Sequence, residues 1–196
     1  MNANSQEKTR RLAGLALFTA LIVILQLLGS FIRFGPVSVS LVALPIVVGA
    51  AVYGSAAGLW LGFVFGMVVL LSGDAAAFFA FSVPGTLITV LLKGVACGGL
   101  AGLVYAWLRG KNRTLAAVAA AIVCPVVNTG VFLIGCLLFF METIGGWADA
   151  MGFGANVGQY MIIGLVGANF LFELLFNVVL SPVIVRLIRI GKKEVE

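Results

Sequence analysis

The sequence predicts an all-α integral membrane protein: six transmembrane helices in one bundle, with both termini on the cytoplasmic side. Three observations carry this. Of the 196 residues, 62% are hydrophobic and 10% charged, against roughly 25% charged in an ordinary soluble domain, and the mean hydropathy is +1.20. The apolar residues gather into runs long enough to cross a bilayer core. Ten of the twelve basic residues fall in three clusters, each abutting such a run. Lys8, Arg10 and Arg11 precede the first, Arg109, Lys111 and Arg113 share one loop, and Arg186, Arg189, Lys192 and Lys193 come near the end. Six crossings bring all three clusters to one side, which the positive-inside rule makes the cytoplasm. That placement accounts for the net charge of +5 better than nucleic-acid binding does, and no nucleic-acid partner is expected.

Composition also excludes chemistry. Histidine is absent, which removes the commonest general base and metal ligand. Cys97, Cys124 and Cys136 lie inside apolar segments without a CxxC pair, and read as small packing residues rather than a metal site or disulfide. The polar stretches are too short to fold into a soluble catalytic domain. With no nucleophile set beside a base and no paired aspartates in the spans, no enzyme activity and no metal are expected.

In chain order, residues 1–196 read as one membrane domain with spans at about 12–31, 37–53, 55–72, 85–108, 115–141 and 158–188. The first is too long for a signal-peptide core, and Ala13, Ala16 and Ala20 give it a small-residue face. A loop containing Arg33 follows. The second span carries Pro45 and meets the third at a tight Gly54–Ser55 turn. The third has Gly58, Gly62 and Gly66 four apart, and the fourth repeats the spacing with Gly94, Gly98 and Gly102, so two nearly bare helix faces invite close packing. The fifth span holds Pro125, Asn128 and Gly130 at its middle, where a kink is expected. Two long outer loops rich in aromatics (Phe78, Phe79, Phe81, Trp147, Phe153) contrast with short inner connections.

Polar residues inside the spans are the candidate site, because an ionisable group at membrane depth is costly unless it faces a partner or a wet cavity. Lys93 lies about 14 Å below the outer end of span four. Asn169, Glu173 and Asn177 are spaced i, i+4, i+8 in span six and fall within about 80° of one another, a single polar stripe. Asn169 comes out about 17 Å deep and Glu173 about 22 Å, with Asn128 near Glu173 in depth. Two readings stay open. Lys93 and Glu173 form a buried structural pair; or Lys93, Asn128, Asn169 and Glu173 line a cavity that holds a polar solute, which the longer aromatic loops on the outer side favour.

Several segments have a familiar form. They are the basic N-terminus before Ala16-x-x-x-Ala20, the stretch FGPVSVSLVALPIVVGAAVYGSAAGLWLGFVFG, the segment PVVNTGVFLIG, and six spans in about 190 residues. Over nearly its whole length the chain resembles a substrate-binding (S) component of an energy-coupling-factor (ECF) vitamin transporter. The resemblance implies a six-helix bundle in the plasma membrane that binds a water-soluble vitamin near the outer face. It would deliver the vitamin by docking on a transmembrane coupling protein driven by two ATP-binding subunits. No cofactor is then expected in this chain, and it contains no GxxxxGK[ST] phosphate loop. The docking surface maps onto Ala13, Ala16 and Ala20. The overall look is closest to the pantothenate-type branch, with riboflavin and folate types next. A small anion would suit Lys93, or Arg33 in the first loop, as carboxylate partner, and the asparagines would serve amide and hydroxyl groups. The alternative is a self-contained secondary transporter coupling a small polar solute to Lys93 and Glu173. No repeat between the two halves supports it.

Overall fold

The computed structural model describes residues 3–32 and 37–195, with side chains over 6–32 and 37–192. All regular structure among them is helical. The long elements are α1 (Ala3–Gly29), α3 (Ser55–Leu71), α5 (Val83–Leu108), α6 (Arg113–Phe139) and α9 (Gly167–Val195). The short ones are α2 (Ala43–Tyr53), α4 (Ala76–Phe79), α7 (Met141–Ala150) and α8 (Val157–Gln159). Among the described residues, four segments are long and apolar enough to cross a membrane: Gln6–Gly29, Val83–Leu108, Arg113–Phe139 and Gly167–Lys192. Helices α2 and α3 are apolar but shorter. Large side chains such as Leu17, Ile88, Leu138, Leu175 and Val179 are exposed along the outer faces, as lipid-facing residues are.

Local sequence explains the helix ends. Ser82 caps α5 by accepting the Gly85 N–H at 3.1 Å, and Pro84 in the first turn forfeits no intrahelical bond. Asn112 caps α6, its Oδ1 accepting the N–H groups of Thr114 (2.9 Å) and Leu115 (3.1 Å); both caps fit the residue preferences of helix starts. Gly54 alone joins α2 to α3, at φ +94°, a conformation that a Cβ would strain.

The two glycine faces meet each other. A Cβ on Gly62 would collide with the carbonyl oxygen of Gly94, and one on Gly58 with that of Gly98, and the reverse also holds. Helices α3 and α5 therefore touch backbone to backbone in an antiparallel register, the contact that only small residues permit. One core runs through this contact, from Ile22, Ile46, Leu61 and Phe65 to Tyr105 and Ile184. A second core joins Phe78, Phe132, Phe140, Ile144 and Tyr160 at the opposite end from the basic residues. There Phe78 stands edge-on to Phe132, Phe140 and Trp147, with ring centroids 5.5, 5.1 and 5.5 Å away. The three cysteines are free and buried.

The three basic clusters do gather at one end. Arg11 of α1 donates to the Tyr53 carbonyl at 2.7 Å, Val52 of α2 lies against Gly191 of α9, and Lys192 of α9 sits 5.1 Å from the Tyr105 ring of α5.

The structure refines the spans in three places. Residues 37–42 are not helical, and α2 begins only at Ala43; Pro45 falls in its first turn, where a missing N–H costs no ladder bond. The expected outer loops contain α4 and α7, whose apolar faces bury Phe78, Ile144 and Ala148. The last span is interrupted: α8 runs into a π-helical turn at Tyr160–Leu165, and α9 starts afresh at Gly167. The Val166 N–H reaches back to the Met161 carbonyl at 3.3 Å, the wide bonding that marks such turns and that recurs near functional sites. Pro125, by contrast, sits within an unbroken α6.

Candidate functional site

Between the two cores lies a cavity that four elements build. The 37–40 stretch supplies Val37, Ser38 and Ser40; α5 supplies Lys93; α6 supplies Asn128, Thr129 and Phe132; and the last span supplies Val166, Asn169, Phe170 and Glu173. Its volume is about 40 Å³, room for about three waters. A smaller hollow of about 10 Å³ continues inward between Ser40, Phe65, Cys97, Cys124, Asn128 and Glu173.

Lys93 reaches this place because of the glycine contact. Gly94 and Gly98 are turned into α3, and at 100° per residue Lys93 then lies beside that seam, on a stripe shared with Thr89 and Cys97. Its ammonium stands 5.5 Å from the ring centroid of Phe65 and 5.3 Å from that of Phe132. Two aromatic faces thus stabilise the cation. No ion pair within 4.0 Å joins Lys93 to any described carboxylate, so the direct Lys93–Glu173 pair considered above does not form. Both residues instead line the one cavity.

Glu173 has a different partner. Its Oε1 accepts the backbone N–H of Ser40 at 2.7 Å, while Asn169 Nδ2 donates to the Val37 carbonyl at 3.2 Å. Asn177, at 1% exposure, turns back within α9 and donates to the Glu173 carbonyl at 2.7 Å. The polar stripe is therefore split: its first two members hold the non-helical stretch, and its third stays inside its own helix. Irregular backbone at such depth survives only where its polar groups are satisfied; α9 bonds the Ser40 N–H and the Val37 carbonyl, and the Val39 N–H donates to the Ile32 carbonyl at 2.9 Å. Asn128 is buried on the facing wall, and its Oδ1 has no hydrogen-bond partner among the described residues.

Four of the five expected solute-binding residues, Lys93, Asn128, Asn169 and Glu173, come together on the cavity. Arg33 lies outside the described residues. Ala13, Ala16 and Ala20 are all exposed along α1, facing away from the bundle. Sequence reasoning did not identify Phe65, Phe132 or Ser40. Phe132 had a signal, being one turn from Asn128 on the same face. Phe65 could have been reached by pairing the two glycine ladders. Ser40 had none, because its role is a backbone bond to a residue 133 positions away. A second buried clasp, Gln26 Nε2 donating to Asp74 Oδ2 at 2.9 Å with Ser72 Oγ on the same oxygen at 3.0 Å, ties α1 to the loop after α3.

A helical membrane bundle with a half-buried lysine, asparagines and a carboxylate around an internal cavity has the makings of a solute-binding membrane protein. The model of the family described as ECF transporter, substrate-specific component, matches residues 10–185, and the chain belongs to that family. This is a family of transporter components rather than of enzymes. The chain is also similar to the pantothenic acid transporter PanT of Lactococcus lactis subsp. cremoris (strain MG1363), with 28% identity over 198 residues, covering 92% of this chain and 94% of that protein.

Proposed function

We propose that this chain is the vitamin-binding component of an ECF transporter, that it captures pantothenate from outside the cell, and that an ATP-driven module completes the import. The observation that carries the site assignment is Lys93: a cation between two aromatic rings, on the cavity, with no ion-pairing carboxylate among the described residues. A carboxylate on the solute is the natural partner for such a cation. Pantothenate has one, with amide and hydroxyl groups that suit Asn128 and Asn169. The relative named for pantothenic acid transport supports the same solute. Arg33 is a second candidate carboxylate partner.

The remaining parts of the reading follow from the family and the charge pattern. Six segments cross the membrane within one domain, the 37–53 segment that contains α2 and the 55–72 segment that contains α3 completing the four longer spans. The basic end faces the cytoplasm, with both termini. Ala13, Ala16 and Ala20 form the face that meets the transmembrane coupling protein, and two further subunits bind and hydrolyse the ATP. Known ligand pockets hold roughly 300–1,000 Å³, so a cavity of about 40 Å³ must widen, and the 37–40 stretch moves to admit the vitamin.

The decisive experiment is a thermal-shift screen of the purified protein in detergent against pantothenate, riboflavin, folate, thiamine, biotin and cobalamin. A ligand at a hundred times its dissociation constant adds about 2.7 kcal/mol to stability. A rise with pantothenate alone supports the reading, and a rise with another vitamin replaces the solute. Uptake by vesicles lacking any ATP-driven partner would point instead to a self-contained secondary transporter.

A further inference from the structure

The basic end of the bundle has a groove that vitamin capture does not use. It runs between α6 and α9, encloses about 610 Å³, and combines apolar walls (Val118, Val185, Ile190) with polar residues (Thr114, Arg186, Arg189). Arg189 also borders an adjoining hollow of about 60 Å³, together with Arg113, Lys192 and Tyr105. Two arginines of α9, Arg186 and Arg189, thus line the groove, and Arg113 of α6 borders the hollow that Arg189 shares with it. None of them forms an ion pair within 4.0 Å with a described carboxylate. Tyr105, 2% exposed, brings a buried hydroxyl that has no hydrogen-bond partner among the described residues.

We propose that this groove is a specific site for an anionic phospholipid, with the phosphate held at Arg186 and Arg189 and an acyl chain lying along the apolar wall. Guanidinium forks match phosphate oxygens in pairs. The apolar wall argues for a lipid over a soluble anion. It continues into the exposed faces of Val183, Leu187 and Ile190, which a free phosphate would leave without a partner and an acyl chain would cover. Basic pockets between helix ends are where acidic headgroups are held in membrane proteins.

The test is thermal unfolding of the intact protein in non-ionic detergent, titrated with phosphatidylglycerol, phosphatidylcholine or glycerol phosphate. Phosphatidylglycerol is expected to raise the midpoint saturably at about one equivalent, with the other two inert. The double variant Arg186→Gln/Arg189→Gln should weaken phosphatidylglycerol by about tenfold or more, a loss of two charge-assisted contacts. Lys8→Gln/Arg10→Gln removes the same charge elsewhere on the same end and should leave binding unchanged. Arg189→Lys, which keeps the charge and loses the fork, should fall between. Equal losses in both double variants would reduce the effect to diffuse attraction and overturn the site. Equal binding of glycerol phosphate would make it a soluble-anion site, and an unsaturable response would remove it. Vitamin binding by the variants reports that they are folded.

Discussion

Glu173 of α9 accepts the backbone N–H of Ser40 at 2.7 Å, so a membrane carboxylate is bound to the chain's own backbone and not to the nearby Lys93. The bond explains two features together. It gives a buried carboxylate at 5% exposure a donor, and it gives the non-helical residues before α2 an anchor. Lys93 is left with two aromatic rings and the cavity.

Glu173→Ala should release that stretch. The Ser40 N–H would be buried without an acceptor, at a cost of about 1–3 kcal/mol. Hydrogen exchange is expected to speed up at residues 37–42 while α5 and α6 stay protected. Unchanged exchange there would mean that the stretch is held by other contacts.

Lys93→Met keeps the length and apolar stem and removes the charge. Pantothenate binding is expected to weaken by about ten- to a hundredfold, the range of 1.5–3 kcal/mol for a hydrogen bond to a charged group, with thermal stability retained. A neutral analogue with the carboxylate amidated should bind wild type and variant alike. If the variant lost affinity for both molecules equally, Lys93 would be a structural cation.

Gly62→Val drives a branched side chain into the Gly94 backbone. It should destabilise the protein by at least the 1–3 kcal/mol of an overpacked core, since a carbonyl cannot move aside as a side chain can. Gly130→Ala is the contrast: nothing lies within 4 Å of a Cβ there, and the change should be neutral or stabilising by about 0.5–1 kcal/mol. Detergent-solution melting of both variants checks the pair.

Ala16→Leu places a large residue on an exposed face of α1. Vitamin binding should be unchanged, because no cavity residue lies on α1, while co-purification with the transmembrane coupling protein is lost. Normal co-purification would move the docking face elsewhere.

Sequence by itself determined the class and the cast. Hydropathy and the three basic clusters specify a helical membrane protein whose basic residues share one end, because lipid-exposed backbone must satisfy its own hydrogen bonds, as a helix does, and cations favour one side. The same cost of burying polar groups singled out Lys93, Asn128, Asn169 and Glu173, and all four line one cavity. Only the tertiary structure decided who meets whom. The depths of Lys93 and Glu173 along their helices were legible, but not the rotation that gives Glu173 to Ser40 and Lys93 to Phe65 and Phe132. Nor was the break at Val166, where a run of apolar residues carries no proline to announce it. Helical period and length are local properties, readable from neighbours three and four apart. Pairing depends on how the glycine faces of α3 and α5 seat and turn each helix, and that geometry exists only once the chain has folded.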